Sequence, residues 1–362
     1  MAGALGGLGA LPEVDVSAFA ISWRRRQAIP DLVPTGVGTR QRAMPARPLH
    51  IAWSKRSMPP VEWFIGPHQV VHGTNYVVPP TRRAARVVTV HDLTITRFPE
   101  LCDHATLRFP ALIRRAVAEG AWVHTPSAFV AAEVVDTFDI PSERVRAVHL
   151  GVPPQLALNG DPATLPLPFT LPSGTDRYVL AVGTVEPRKD YPALVEAFTS
   201  IATAVPDAAL VLVGPDGWGA ASLQEAIDAS PVRHRIVRPG YLTAEEVVLT
   251  LRRAAVVAYP SVYEGFGFPP LQAMAAGVPV VATDVGAIPE ISGDGARLVP
   301  GGDTDALAGA LADLLAGGPE VEALIDRGHR RIRRYRWDDC AMGLLQLYRD
   351  ARDDRPTRGG GG

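Results

Sequence analysis

The stretch "SVYEGFGFPPLQAMAAGVPVVATD", residues 261–284, sets one acid, Glu264, at the mouth of a glycine turn and a glutamine, Gln272, eight residues later. The run "AAVVAYPS" before it reads as a buried strand. In the turn "YEGFGF", Gly265 and Gly267 permit close backbone approach, and Pro269 and Pro270 suit the first turn of a helix that Gly277 ends. Such a helix turns its unpaired N–H groups and positive dipole end toward whatever lies beyond the strand, a place for a diphosphate. Glu264, on the same rim, can accept hydrogen bonds from ligand hydroxyls or stabilise developing positive charge, and Gln272 can hold a diol. Taken bare, the pattern serves equally as a glycine turn with a solvated glutamate.

A second rim element is "AVGTVEPRKD", where a strand ending at Gly183 is followed by Arg188 and Lys189. Arginine meets a diphosphate with a planar fork and lysine with a point charge, so the pair can neutralise a departing anion. Lys55 and Lys189 are the only lysines among 36 basic residues, which hints at a compact ammonium at 189, although an ordinary surface role also fits. The third element is His91 with Asp92, directly after "ARVVTV", with His72 ending the preceding strand. Two histidines on one rim point toward proton or hydroxyl chemistry, while a lone strand-end histidine is commonly a satisfied core group. No HExxH, GxSxG or GxxxxGK[ST] is present, which sets aside zinc-peptidase, esterase-elbow and P-loop readings.

Nine short β-branched runs must position these residues: "QVVHGT", "ARVVTVHD", "AWVHTPS", "RVRAVHLG", "RYVLAVGT", "AALVLVG", "HRIVRPG", "AAVVAYPS" and "VPVVATD". Helical stripes such as Leu112, Ile113, Ala116 and Val117 in "FPALIRRAVAEG" lie between them, so the alternation predicts βαβ units and parallel sheets. Six prolines crowd residues 152–175, where a linker is expected. Boundaries follow at 1–157 for a first domain, 158–175 for the linker, 176–335 for a second domain, 336–353 for a C-terminal helix packing back toward the first domain, and 354–362 for a disordered tail.

At 362 residues and 47% apolar content, the chain has material for two globular cores. No apolar stretch has membrane-spanning length and the start lacks a secretory pattern, so a cytoplasmic protein is expected, peripheral at the inner membrane face at most. Cys102 and Cys340 are expected as two unpaired, buried thiols. The net charge of −2 hides an asymmetry: residues 1–150 carry 17 basic against 12 acidic side chains, and the rest 19 against 26. The front is thus about +5 and can touch an anionic membrane or a phosphorylated acceptor, or simply be solvated. No aromatic–basic interleaving suggests nucleic acid.

With these elements in this order, the chain resembles the retaining, nucleotide-sugar-dependent glycosyltransferases of family four (glycosyltransferase group 1), which have the GT-B fold. The resemblance runs from residue 11 to 350 and rests on "VVHGTNYVVPP", "VVTVHD", "VHTPSAFVAAEVVDTFDIPSERVRAVHLGV", "VGTVEPRKD", "PSVYEGFGFPPLQAMAAGVPVVATDVGAIPE" and "YRWDDCA". It implies an α/β protein of two Rossmann-like domains facing each other across a cleft. It further implies that Arg188 and Lys189 grip the donor diphosphate and that Glu264 addresses the transferring sugar. The backbone from Gly265 through Phe266 and Gly267 to Phe268 would approach phosphate or sugar, with Gly183 on the same rim. Gln272 would bind the ribose, Tyr241 border the base, and His91 lie beside the reacting sugar. The implied donor is a GDP- or UDP-sugar, mannose favoured, with no permanently bound cofactor and no metal. The implied reaction moves a hexosyl group to a glycan or lipid-linked acceptor hydroxyl with retention of configuration.

Two departures from the family pattern stand out. The family usually has glutamate at both ends of its E-x7-E spacing, whereas this chain has Glu264 and Gln272, so altered donor binding is expected. Relatives also begin with a strand and glycine-rich turn ahead of the helix that "AGALGGLGALPEV" finishes, so a start further upstream or a fragment is expected. Alternatives are a catalytically impaired sugar-nucleotide-binding or membrane-surface module, and a GT-B epimerase or phosphorylase.

Overall fold

The computed structural model describes residues 2–23, 25–102, 106–152 and 165–354. Residues 158–164 of the expected linker and 355–362 of the expected tail lie outside this set. The protein is mixed α/β with parallel sheets and divides into two compact units, Met1–Gly151 with Tyr335–Gly362, and Val152–Arg334.

In the first unit, β1 (Ser17–Phe19) and β2 (Gly38–Arg40) form a parallel pair, and β3 (Val70–Gly73), β4 (Ala85–Thr89), β5 (Trp122–Thr125) and β6 (Val145–Ala147) form a parallel sheet in chain order. Because side chains alternate along a strand, Val87 and Val88 of β4 enter different cores. Val88 packs with Ile113 of the helix Phe109–Ala118 and with Val130 and Val134 of the helix Ala128–Phe138. Val87 packs with Trp122, Ala4 and Leu8, and with Cys340, Leu344 and Leu347 of the helix Trp337–Asp353. Burial on both faces is why these strands read as continuous apolar runs. Ser127 caps the helix Ala128–Phe138, its hydroxyl accepting from Val130 N at 3.2 Å.

In the second unit, β7 (Arg177–Val182), β8 (Ala208–Val213), β9 (Ile236–Gly240), β10 (Val256–Tyr259), β11 (Val280–Thr283) and β12 (Arg297–Val299) form one sheet in the order β12-β11-β10-β7-β8-β9, every neighbour parallel. The chain steps outward from β7 to β9, then returns to lay β10 on the other side of β7, with Val179 opposite Val256. Connections diverge at that reversal, and it is beyond the carboxyl ends of the strands at such a point that open parallel sheets take their ligands. All nine strands expected from the sequence are present. The short β1, β2 and β12 were not expected: each has three residues and none is apolar enough throughout to stand out from a loop. No helix among the described residues is long and apolar enough to cross a membrane.

Candidate active site

Arg188 and Lys189 leave the carboxyl end of β7, and Glu264 leaves that of β10, so both segments emerge at the reversal of the sheet. The single helical turn Pro187–Lys189 ends on Asp190, which holds a left-handed conformation at φ 47°. Val262 N donates to Arg188 O at 2.9 Å and ties the two exits together. Glu264 is then met by both cations. Lys189 Nζ donates to its Oε1 at 2.7 Å, and Arg188 Nη1 lies 2.5 Å from its Oε2. Arg188 Nη1 also donates to Tyr263 O at 3.2 Å, and Nη2 lies 3.4 Å from Glu186 Oε2.

Two further groups complete the surroundings of the acid. Ser261 Oγ donates to Glu264 Oε1 at 2.8 Å, and Lys189 Nζ donates to the Tyr259 hydroxyl at 2.8 Å. From the β11 exit, Ala287 N donates to Glu264 O at 2.9 Å, and Gly286 sits at φ 56° where a Cβ would lie 2.3 Å from that same oxygen. A side chain at 286 would displace the backbone of the acid. Burial alone raises the pKa of Glu264, but Lys189, Arg188 and the hydroxyl of Ser261 outweigh it and hold the carboxyl down to about 2. For Lys189, burial is the larger influence and lowers its pKa, with Glu264 opposing. The result is a carboxylate held ionised between two cations, with a helix terminus beside it.

That helix, Phe268–Ala275, starts four residues after Glu264 with Gly267 as its N-cap. Gly265, Phe266 and Gly267 are buried, and the Phe266 and Phe268 rings meet edge to face at 5.1 Å. Gln272 is the fifth helical residue, half-buried. Gly183 closes β7 and donates to Val213 O at 2.9 Å. Tyr241 follows β9, two strands from β7 on the side away from β10, and is 75% exposed.

The first unit corrects one expectation and refines another. His72 is not a free rim group. Its Nδ1 is 2.7 Å from the Tyr348 hydroxyl and its Nε2 is 2.7 Å from Thr89 Oγ1, which is 2.9 Å from His124 Nδ1, while His124 Nε2 is 3.1 Å from Val148 O. A carbonyl only accepts, so His124 Nε2 carries the proton, and the chain of bonds then runs in one direction back to Tyr348 with both rings neutral. Burial keeps them so, pushing His72 well down and His124 to about 4. His91 instead donates from Nε2 to Thr74 O at 2.9 Å, which leaves Nδ1 an acceptor, and burial lowers its pKa. Asp92 accepts from Thr94 N at 3.0 Å and so fixes the turn after His91. Among the described residues neither cysteine forms a disulfide, Cys340 being buried and Cys102 only half-buried.

Tyr259, Ser261 and Gly286 escaped sequence reasoning. Tyr259 ends an apolar strand and is indistinguishable from core, and Ser261 looks like turn punctuation.

Against known proteins, residues 168–331 match the family described as Glycosyl transferases group 1. The O-antigen chain mannosyltransferase B of Escherichia coli is 27% identical over 282 residues, covering 77% of this chain and 74% of that protein. A D-inositol 3-phosphate glycosyltransferase of Saccharomonospora viridis is 33% identical over 239 residues, covering 61% of this chain and 53% of that one, about half its length. Among solved structures, WaaG, a glycosyltransferase involved in lipopolysaccharide biosynthesis, superposes with a TM-score of 0.69 at 16% identity, covering 95% of this chain and 93% of that one. The sucrose-phosphate synthase of Thermosynechococcus elongatus gives 0.65 at 24% identity, with 80% and 74% covered. These likenesses are to glycosyltransferases of the GT-B fold, built from two Rossmann-like domains.

Proposed function

We propose, from the premise that residues 168–331 belong to the group 1 glycosyl transferases, that the protein moves a hexosyl group from a nucleoside-diphosphate sugar to an acceptor hydroxyl with retention at the anomeric carbon. The observation that carries this reading is the convergence of Arg188 and Lys189 on Glu264 at the reversal of the parallel sheet, beside a helix N-terminus. Such a place favours a dianion, and fixed cations there stabilise a leaving diphosphate without reorganisation.

In this mechanism the bond from the anomeric carbon to the diphosphate oxygen breaks and its electron pair leaves with the phosphate. The acceptor oxygen forms the new bond on the face just vacated, and its proton passes to the departing phosphate oxygen. Arg188, Lys189 and the helix end hold the diphosphate. Glu264, kept ionised, receives the hydroxyls of the sugar and faces the positive charge that develops on it. Gln272 takes the ribose hydroxyls and Tyr241 borders the base. His91 offers Nδ1 to a sugar hydroxyl. The mannosyltransferase relative favours mannose, and glycan or glycolipid synthesis as the setting. A cytoplasmic protein that touches an anionic membrane through the basic front fits the charge asymmetry, and sedimentation with anionic vesicles reads that contact.

A panel of GDP- and UDP-sugars, assayed for nucleoside diphosphate release with and without glycan acceptors, tests the reading. Release from one donor, lost in Lys189→Ala and Glu264→Ala, supports it, and an α-product from an α-donor establishes retention. No release from any donor, with folded protein, overturns it.

A further inference from the structure

We infer that Tyr259 is a positioning residue that fixes the Lys189 ammonium by accepting one of its protons, so that, with another proton on Glu264, one N–H is left for a phosphate oxygen. The inference rests on the reading above for the identity of the ligand, but not for the geometry. Tyr259 ends β10 and is 3% exposed, and the Lys189 ammonium lies 2.8 Å from its hydroxyl and 4.4 Å from its ring centroid. A phenol has one proton and two lone pairs. The ammonium has only protons to offer, so the phenol accepts there.

The ammonium is thus held between the phenol and the carboxylate. Two of the three Lys189 protons are placed, on Glu264 Oε1 and on Tyr259, and among the described residues the third has no partner. A lysine stem has four rotatable bonds, and a single partner would leave the ammonium free to swing about Glu264. Two partners, both at the carboxyl end of β10, hold it in one place. Tyr259 also opposes the burial that disfavours the charged lysine. The charged and titratable groups around Lys189 are Glu264, Arg188 and Glu186, with Tyr259 and Tyr191 as neutral phenols, both pushed upward chiefly by burial and then by Glu264.

The chain has two lysines, so protein labelled with 15N- and 13C-lysine gives two side-chain signals, and Lys189→Arg assigns them. In Tyr259→Phe, which keeps the ring, the Lys189 signal is expected to titrate at lower pH than in the parent, while Lys55 is unmoved. Binding of GDP and UDP, measured by calorimetry, is expected to weaken about tenfold, the size of one lost charge-assisted hydrogen bond, with its alkaline limb displaced to lower pH. A Lys189 titration that does not move overturns the inference, because a tyrosine that merely fills the core acts through its ring alone. Should Tyr259→Phe not fold, 3-fluorotyrosine in place of all eight tyrosines makes the phenol a poorer acceptor, and the Lys189 titration must again fall. If that titration moves but neither parent nor variant binds any nucleoside diphosphate, the positioning of Lys189 by Tyr259 stands and the proposed function fails.

Discussion

Glu264 is enclosed by donors from three side chains, and its two principal partners respond differently to its loss. Glu264→Ala leaves Lys189 buried against Arg188 with only the Tyr259 phenol for support, so a loss of about 3 kcal/mol in stability is expected, read as a lowered thermal midpoint. Lys189→Ala removes one charge of a partly neutralised pair and is expected to spare the fold more, while lowering transfer by about 10² to 10³. A Glu264→Ala protein as stable as the parent would show that the carboxylate contributes nothing to holding the cations. At position 272, Gln272→Glu is expected to raise donor affinity about fivefold in calorimetry, since a carboxylate accepts more strongly than an amide, and equal affinities would dispose of the idea. The types and spacing of Arg188, Lys189 and Glu264 were legible in the sequence because each is polar in a place where polarity needs a reason. Tyr259 was not, since an aromatic residue closing an apolar strand carries its meaning in one oxygen atom whose partner arrives from position 189.

Elements are held by contacts that span hundreds of residues. The helix Trp337–Asp353 docks on the helix Ala2–Gly9, where a Cβ on Gly3 would lie 2.2 Å from Trp337 Cε2 and one on Gly151 would lie 2.5 Å from Trp337 N. Gly3→Val is therefore expected to expel the indole and cost about 2 kcal/mol or more, and Trp337→Ala to cost about 3 kcal/mol, both measured by denaturant titration. The glycine-rich opening "AGALGGLGA" reads in sequence as a weak helix, and nothing local reveals that it receives a tryptophan from the other end of the chain. His72 shows the same limit. Its place at the end of β3 was legible, but its engagement with Thr89, His124 and Tyr348 depends on a helix 276 residues away in sequence.

At the scale of the whole molecule, the two units should lose stability to acid in different pH ranges. In the first, burial depresses His72 and His124, the latter to about 4, against about 6.5 in an unfolded chain. The unfolded state binds more protons below that value, so their contribution is full above about pH 6.5 and is lost as pH falls toward 4. In the second unit, Glu264 is held at about 2 against a usual 4.5, so its contribution is full above 4.5 and is lost only as pH falls toward 2. Five of the six tryptophans lie in the first unit and only Trp218 in the second. Tryptophan fluorescence is therefore expected to change at higher pH than far-ultraviolet circular dichroism, and coincident transitions would contradict this order.

Taken alone, the sequence determined the alternation of strand and helix, nine of the strands and the rim positions of Arg188, Lys189 and Glu264, because burial on both faces of a parallel sheet writes itself as apolar runs and strand ends as polar interruptions. Only the tertiary structure decided that β10 returns beside β7, that Glu264 is caged by Lys189, Arg188 and Ser261, and that His72 is bound to the C-terminal helix. Those outcomes depend on which surfaces pack together over long separations, and burial and hydrogen bonding act on neighbours in space, not on neighbours in the chain.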